Sequence, residues 1–310
     1  MVITYTAIFG LLIGSFLTVV VDRVPRGASV VAPGSACGGC GLELGPRDLV
    51  PVFSWLFLRG KCRRCKASIG IEPVVLELAT SALFVAFAIK FDLSWELGAF
   101  AALGAGLIAL SWIDLHTKRL PREIIYVTAA LGVPLLCIAA LVRHEPRRML
   151  MMLLGAAIAL GFMALVYVAS KGGMGDGDVR LSPLLGAYLG WINPGLVAVG
   201  LFLGFLLGAV VGVLLMAFGR AGRKTAVPFG PFLAIGTIAA IWLGQPAIDM
   251  VLHRSRIPAY DCVFMLSSTP YMAETKATAT KPTMSPTNTI MIGSNMAVNF
   301  WMRPSSSRSK

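Results

Sequence analysis

Residues 195–218 read GLVAVGLFLGFLLGAVVGVLLMAF, an apolar run without a charged side chain. About 20 predominantly apolar residues are enough for an α-helix to cross a bilayer. Working outward from this run, comparable apolar segments recur along the chain at residues 2–21, 74–90, 95–113, 124–142, 149–169, 181–193 and 228–250. The sequence therefore predicts an all-α fold, a polytopic membrane helical bundle with about eight transmembrane helices.

The overall composition supports a membrane protein. Hydrophobic residues make up 56% of the chain and charged residues only 14%, compared with about 25% charged residues in soluble domains. The net charge of +12 would suggest nucleic acid as a partner of a soluble protein. Here the basic residues collect in particular loops, as the positive-inside rule describes, so we expect membrane lipid and no nucleic acid as a partner.

The distribution of Lys and Arg predicts the orientation in the membrane. The loop after the first apolar segment is rich in basic residues: Arg23, Arg26, Arg47, Arg59, Lys61, Arg63, Arg64 and Lys66. This loop is therefore predicted to be cytoplasmic, with the N-terminus outside. The loops near residues 114–123, 170–180 and 219–227 then also face the cytoplasm, and each is basic. One loop disagrees, because Arg143, Arg147 and Arg148 would lie outside.

The chain divides into four predicted regions. Residues 1–21 form a first transmembrane helix, residues 22–73 a cytoplasmic loop, residues 74–250 a transmembrane catalytic body and residues 251–310 a tail. The tail contains Ser/Thr/Pro-rich sequence such as TKATATKPTMSPTN. Such a composition buries too little apolar surface to offset the entropy of ordering, so we expect the tail to be disordered.

The cytoplasmic loop carries two CxxC pairs, Cys37-Gly-Gly-Cys40 and Cys62-Arg-Arg-Cys65. Four thiolates from two such pairs can surround a zinc ion tetrahedrally. A complete set of four cysteines leaves no open position for water, so the predicted zinc is structural. The alternatives are two disulfides or four free thiols, and a reducing cytoplasm disfavours the disulfides.

Two aspartates at the ends of apolar segments are the candidate catalytic residues. Asp114 ends the run at residues 95–113, and Asp178 lies in the glycine-rich stretch GMGDGDVRL at residues 173–181. A carboxylate at the end of a hydrophobic helix is energetically costly, which makes each aspartate a candidate functional residue. The alternative for Asp114 is an ordinary solvated residue paired with Lys118 at i+4. A phosphate-binding loop is disfavoured at Asp178, because no GK[ST] follows the glycines.

Both aspartates are predicted at the same membrane face. Two carboxyl groups held within a few ångströms cannot both ionise, so they share one proton. The ionised member can then take a proton from water while the neutral member polarises a peptide carbonyl. That is the chemistry of an aspartyl protease.

The ordered set of motifs resembles the bacterial type IV prepilin peptidases, which are GxGD membrane aspartyl proteases. The resemblance covers residues 1 to about 250 and rests on Gly14-Ser15-Phe16-Leu17, Arg23, Pro25, Cys37, Cys40, Pro51-Val52-Phe53-Ser54-Trp55-Leu56, Leu58-Arg59-Gly60-Lys61-Cys62, Cys65, Glu77, Asp114, Leu120-Pro121, Gly177-Asp178 and Pro228-Phe229-Gly230-Pro231-Phe232.

The resemblance implies a function as well as a fold. It places the catalytic pair at Asp114 and Asp178, and it implies that the protein cleaves leader peptides from prepilin or pseudopilin substrates at the cytoplasmic face of the plasma (inner) membrane. Such substrates, as the resemblance implies, carry a short basic leader followed by an apolar helix. It also implies N-methylation of the new N-terminus with S-adenosylmethionine as cofactor, for which the sequence identifies no binding residues. Glu77, inside a predicted span, is either functional or a helix-end residue paired with a base.

The chain departs from the family pattern near the second aspartate. Arg180 stands where the family usually has Lys, and Asp176 stands where it often has a hydrophobic or aromatic residue. Asp176 either helps to hold a basic leader or is an ordinary solvated residue. Arg122 follows Leu120-Pro121, where the family has an acid.

Two alternative functions remain at this point. The first is a GxGD protease with another substrate, such as an archaeal-type preflagellin peptidase, which is disfavoured by the four-cysteine loop. The second is a zinc-stabilised membrane scaffold or transporter, because transporters also use acids within the membrane.

Overall fold

The computed structural model describes residues 1–170, 173–218 and 227–255, with residues 245–255 as backbone only. The helices are α1 (Val2–Arg23), α2 (Phe53–Phe57), α3 (Glu72–Phe91), α4 (Trp95–Thr117), α5 (Arg122–Val142), α6 (Arg147–Ala169), α7 (Asp176–Ile192), α8 (Gly195–Ala217) and α9 (Gly230–Ser255). Within these described ranges β-structure is limited to two isolated antiparallel bridges in the loop between α1 and α3. The predicted all-α fold is confirmed.

The long helices correspond to the predicted transmembrane segments. In the described part of the chain, six helices are long and apolar enough to cross a membrane: α1, α3, α4, α5, α6 and α8. The other two predicted segments form shorter elements, because α7 has 17 residues and the apolar part of α9 covers Gly230–Gly244. The protein is therefore a multi-pass membrane protein.

Three helix boundaries differ from the sequence-based prediction. Helix α4 continues one turn beyond Asp114, until Lys118 adopts a left-handed conformation with φ 53° and its N–H bonds to the Asp114 carbonyl. Helix α7 begins at Asp176, and both Asp176 and Asp178 lie in its first turn, where the helix dipole favours carboxylates. Helix α9 extends beyond residue 250 to Ser255. The rest of the predicted tail lies outside the described residues.

Small residues allow neighbouring helices to approach closely. A Cβ atom on Gly10 of α1 would lie 2.6 Å from the Ser81 Cα atom of α3. A Cβ atom on Gly236 of α9 would lie 2.6 Å from the Gly200 carbonyl oxygen of α8. Such contacts are typical of membrane helices, which associate by close packing because lipid provides no hydrophobic driving force. They hold α1 against α3 and α8 against α9.

Helix α4 is the central element that positions the candidate site. Its Phe100 and Leu103 side chains are fully buried, and it contacts α1, α3, α5 and α9. The Tyr188 hydroxyl of α7 donates a 3.0 Å hydrogen bond to the Ala99 carbonyl oxygen of α4. The Tyr188 ring also packs edge-on against Phe100. These buried contacts hold α7 against α4, the two helices that carry Asp178 and Asp114.

Candidate active site and metal centre

Asp114 is buried near the C-terminal end of α4. Only 5% of the residue is exposed, and its Oδ2 atom accepts a 2.8 Å hydrogen bond from the backbone N–H of Gly230. Among the ion pairs of the described residues, none joins Asp114 to Lys118. The alternative of a solvated Asp114 paired with Lys118 is therefore wrong, because the helix continues and carries the carboxylate inward.

Asp178 is equally buried in the first turn of α7, with 5% of the residue exposed. Its Oδ1 atom has no hydrogen-bond partner within the described part of the chain. Gly177, its neighbour in the chain, packs against Leu120 just beyond α4, which brings Asp178 to the same end of the bundle as Asp114. A buried polar atom without a partner is unusual in a protein. An arrangement of this kind leaves one carboxylate oxygen available to an incoming group.

Leu120 lies between the elements that carry the two aspartates. A Cβ atom on Gly177 would lie 2.8 Å from Leu120 Cβ, and one on Gly230 would lie 3.1 Å from Leu120 Cδ2 and 2.9 Å from Asp114 Oδ2. A side chain at position 230 would therefore displace the carboxylate. Gly230 and Leu120 were not among the sequence-predicted site residues, although both lie in motifs that carry the family resemblance.

Asp176 differs from Asp178 although only two residues separate them. Its side chain is 66% exposed and forms an ion pair with Arg180 at 2.6 Å, at i+4 on α7. Exposed pairs of this kind contribute little to stability. The structure therefore separates one buried acid from one solvated acid within the glycine-rich segment.

The four cysteines of the loop lie together. Every pair of their sulfur atoms is within 4.8 Å, and the Cys37 and Cys65 sulfurs are 3.7 Å apart. A disulfide would require about 2.05 Å, whereas tetrahedral Zn–S bonds of about 2.3 Å separate the sulfurs by about 3.8 Å. All four are free cysteines in the described structure. The geometry fits a zinc ion and does not fit disulfides.

Matching turns form the two cysteine pairs, and in the first turn the Gly39 N–H donates to the Cys37 sulfur at 3.4 Å. In the first pair, the Cys37 N–H bonds to the Leu42 carbonyl and the Gly41 N–H to the Cys37 carbonyl. In the second pair, the Cys62 N–H bonds in the same way to Ala67 and the Lys66 N–H to Cys62. Both turns place the residue after the second cysteine in the left-handed region, at φ 66° for Gly41 and 59° for Lys66.

Backbone N–H groups near the sulfurs change the pKa values of the cysteine thiols. The backbone N–H groups of Cys65 and Arg64 lower the pKa of Cys62 to about 6. Those of Gly39 and Cys40 lower the pKa of Cys37. The Ala67 N–H also favours the Cys65 thiolate, but burial and the neighbouring sulfurs outweigh it and raise the pKa of Cys65 to about 11. Closely spaced sulfurs repel as thiolates, and a bound cation removes that repulsion.

Glu77 connects the loop to the membrane helices. Its residue is 5% exposed, and its Oε2 atom accepts a 2.7 Å hydrogen bond from the backbone N–H of Val52, at the start of α2. It lines a cavity of about 150 Å³ between the loop and α1 and α3. None of the ion pairs in the described residues involves Glu77, so the interpretation as a helix-end residue paired with a base is wrong.

Two of the arginines that oppose the positive-inside pattern lie beside acids at the opposite end of α4. Glu96 in the first turn of α4 is 3% exposed and forms a 2.9 Å ion pair with Arg143, just after α5. Arg148 forms an ion pair with Glu145. Two of the three arginines that oppose the positive-inside pattern are thus paired with acids within the fold.

Comparisons with known proteins agree with this architecture. The bacterial Peptidase A24 N-terminal domain matches residues 8–91, and the type IV leader peptidase family matches residues 101–216. A prepilin leader peptidase/N-methyltransferase of Pseudomonas aeruginosa is 35% identical over 273 residues, covering 77% of this chain and 90% of the relative. No solved structure is significantly similar to the chain.

Two other relatives carry the same name. The protein of Bacillus subtilis is 33% identical over 245 residues, which cover 79% of this chain and 96% of the relative. The protein of Myxococcus xanthus is 37% identical over 224 residues, which cover 70% of this chain and 64% of the relative. The chain belongs to the type IV leader peptidase family, which is a family of enzymes. The alternative of a non-enzymatic scaffold or transporter is therefore wrong.

Proposed function

We propose that the protein is an aspartyl endopeptidase that removes the basic leader from prepilin or pseudopilin substrates, with Asp114 and Asp178 as its catalytic residues. The observation that carries this proposal is the pair of buried carboxylates on α4 and α7, whose flanking glycines Gly230 and Gly177 both pack against Leu120 at one end of the bundle. Such a pair holds a single shared proton. The names of the relatives support leader peptides as the substrate class.

The proposed reaction needs only these two carboxyl groups and water. The ionised carboxylate accepts a proton from water, and the resulting hydroxide attacks the peptide carbonyl while the protonated carboxyl group donates to the carbonyl oxygen. Collapse of the tetrahedral intermediate breaks the C–N bond. The leaving amine takes up a proton from the pair while one hydroxyl of the intermediate returns a proton to it, so the pair again holds one shared proton. The Gly230 N–H bond to Asp114 holds one carboxylate in position during these transfers.

We place the site at the cytoplasmic face of the plasma membrane. The basic loop that contains Arg59, Lys61 and Arg64 adjoins α3, at the same end of the bundle as the aspartates, and positive loops favour the cytoplasmic side. A substrate with an apolar helix in the bilayer would then present its leader junction at the depth of the aspartates. The match of residues 8–91 to the bacterial N-terminal domain favours a bacterial-type substrate over an archaeal one.

We propose a structural role for zinc. When bound by Cys37, Cys40, Cys62 and Cys65, the ion would neutralise the clustered thiolates and cross-link two segments of the loop. A side-chain contact also connects separate parts of the loop, since Arg63 and Asp48 form an ion pair at 2.8 Å. We assign this centre no part in peptide cleavage.

The N-methyltransferase name of the relatives supports a second activity, methylation of the new N-terminus with S-adenosylmethionine. The cavity beside Glu77, of about 150 Å³, is smaller than the roughly 300–1,000 Å³ of pockets that take ligands of this size. This cavity is therefore too small to hold S-adenosylmethionine.

A direct test uses purified protein in detergent with a synthetic prepilin. We expect a shift in substrate mobility and, by mass spectrometry, a product that begins immediately after the basic leader. A substrate in which the residues flanking that junction are replaced by proline should stay intact. An unchanged prepilin mixed with folded wild-type protein would refute the proposed function.

A further inference from the structure

An apolar groove crosses the lipid-facing side of the bundle between α3, α4 and α9. Its volume is about 190 Å³. Helix α4 forms the floor, and α3 and α9 form the two walls; its lining includes Ala79, Leu107, Ser111, Trp112, Ala234 and Ile238. Apolar side chains such as Leu115 and Ile235, exposed by 54% and 52%, border it. The groove therefore opens toward the hydrocarbon of the bilayer.

The floor and one wall of this groove converge on Asp114. On α4, Leu107, Ser111 and Asp114 follow one another at i, i+4 and i+7, which places them along one face of the helix. On α9, the groove residues Ile238 and Ala234 lead to Gly230 at steps of four residues. Gly230 donates its N–H to the Asp114 carboxylate, so both helix faces end at the same carboxyl group.

We propose that this groove seats the apolar helix of the substrate, so that the peptide bond preceding that helix reaches Asp114 and Asp178. This inference rests on the proposed function. The groove is too small to contain a whole helix and instead accepts side chains from one face of it. The Asp178 Oδ1 atom lies outside the groove lining. It is buried without a partner among the described residues, and it would provide a polar contact for the peptide bond that precedes the helix.

The lining favours a helix over a lipid acyl chain as the functional occupant. Ala79, Ser111 and Ala234 contribute one small residue from each of the three helices. Small residues allow a further helix backbone to approach closely, and close packing is what holds helices together in a membrane. An acyl chain gains nothing from close backbone approach and carries no peptide bond to present to the aspartates.

The test fills the groove and measures cleavage of full-length prepilin. Ala79 is exposed on α3, so Ala79→Trp adds bulk in the groove without disturbing the interior of the bundle. The matched control is Ala157→Trp, at an exposed position of α6 outside the groove. We expect Ala79→Trp to raise KM about tenfold, corresponding to overpacking of a tight contact, with kcat changed less than twofold. Ala157→Trp should change neither constant.

A second measurement does not depend on the folding of the tryptophan variant. A photo-crosslinking amino acid is placed at position 79 or 157 in an Asp178→Asn background, where substrate binds without being cleaved. We expect position 79 to capture the apolar segment of prepilin and position 157 to capture lipid. Capture of lipid alone at position 79 with excess prepilin present, or equal KM values for the two tryptophan variants, would overturn the docking proposal.

These outcomes are distinct from a failure of the proposed function. If wild-type protein leaves prepilin uncut, the peptidase proposal fails whatever the crosslinks show. If wild-type protein cuts prepilin and position 79 captures no substrate, the peptidase proposal stands and the groove has no role in docking.

Discussion

The aspartate pair and the four-cysteine cluster are assembled in different ways. The cysteines lie within one short loop, and local turns bring their sulfurs together. Asp114, Asp178 and Gly230 come from three helices that are distant in the sequence, and the packing of the bundle brings them together. The comparison indicates that the cluster is a local unit, whereas the aspartate site depends on the whole membrane body. Changes in the two regions should therefore have separable effects.

The largest expected effect is the loss of cleavage when either buried acid is neutralised. Asp114→Asn and Asp178→Asn each remove one member of the pair, and the remaining aspartate cannot serve as proton acceptor and proton donor at once. We expect each variant to lower kcat at least about a hundredfold, in the range typical of general acid–base groups. The matched control is Asp176→Asn, the same change at an exposed position on the same helix turn, which should retain most of the activity. A dead Asp176→Asn with an active Asp178→Asn would reverse the assignment.

The second effect separates the cluster from the aspartates. The double variant Cys62→Ser/Cys65→Ser should lose about one zinc per chain, because two of four ligands are removed. We expect the midpoint of thermal inactivation to fall by at least about 5 °C, while the protein that stays folded still cleaves. Cys137→Ser in α5 is the control, and it should retain the metal. Equal zinc content in the double variant and the wild type would rule out this centre.

The contribution of the sequence also differs between the two regions. The CxxC spacing predicted the clustering of Cys37, Cys40, Cys62 and Cys65, because the geometry of each pair is determined within a few residues. Hydropathy predicted the helices for the same reason. The contact of Gly230 with Asp114 was not predicted, since it depends on how α9 packs against α4. The hydrogen bond from Val52 to Glu77 was missed for a similar reason, because it joins a loop to a helix.

Helix ends were the least predictable part of the membrane body. An apolar segment ends at the first charged residue. The segments at residues 95–113 and 181–193 therefore end before Asp114 and begin after Asp178. In the structure both carboxyl groups lie within helices and are buried against neighbouring elements. Their burial depends on tertiary contacts such as the packing of Leu120 against Gly177 and Gly230, which a linear pattern does not contain.

A third prediction concerns the close approach at Gly230. Gly230→Ala places a methyl group 2.9 Å from Asp114 Oδ2, which is too close for the carboxylate to keep its position. Because small displacements of catalytic groups are expensive, we expect kcat to fall by about tenfold to a hundredfold with little loss of folded protein. Gly161→Ala on α6, where an added Cβ meets nothing within 4 Å, should cleave normally. Normal cleavage by Gly230→Ala would show that the contact is dispensable.

The smallest expected effect lies in the cysteine turns. Gly41 has φ 66°, so Gly41→Ala should destabilise the loop by about 1 kcal/mol, the cost of a side chain in the left-handed region. Gly38→Ala is the control, because Gly38 has no positive φ and open space around it. The measurement is the zinc that each variant retains in competition with a chelator. We expect Gly41→Ala to retain less zinc than the wild type and Gly38→Ala to retain as much. Identical retention in both variants would contradict a strained turn.

The central claim is that Asp114 and Asp178 act as one unit with a shared proton, and a double-mutant cycle of cleavage rates tests it most directly. The four proteins are the wild type, Asp114→Asn, Asp178→Asn and the double variant, each assayed with the same prepilin. The rate effects of residues that act as a unit are strongly non-additive, so we expect a double variant no slower than the slower single variant. A double variant slowed by the product of the two single effects would contradict it, because the aspartates would then act independently.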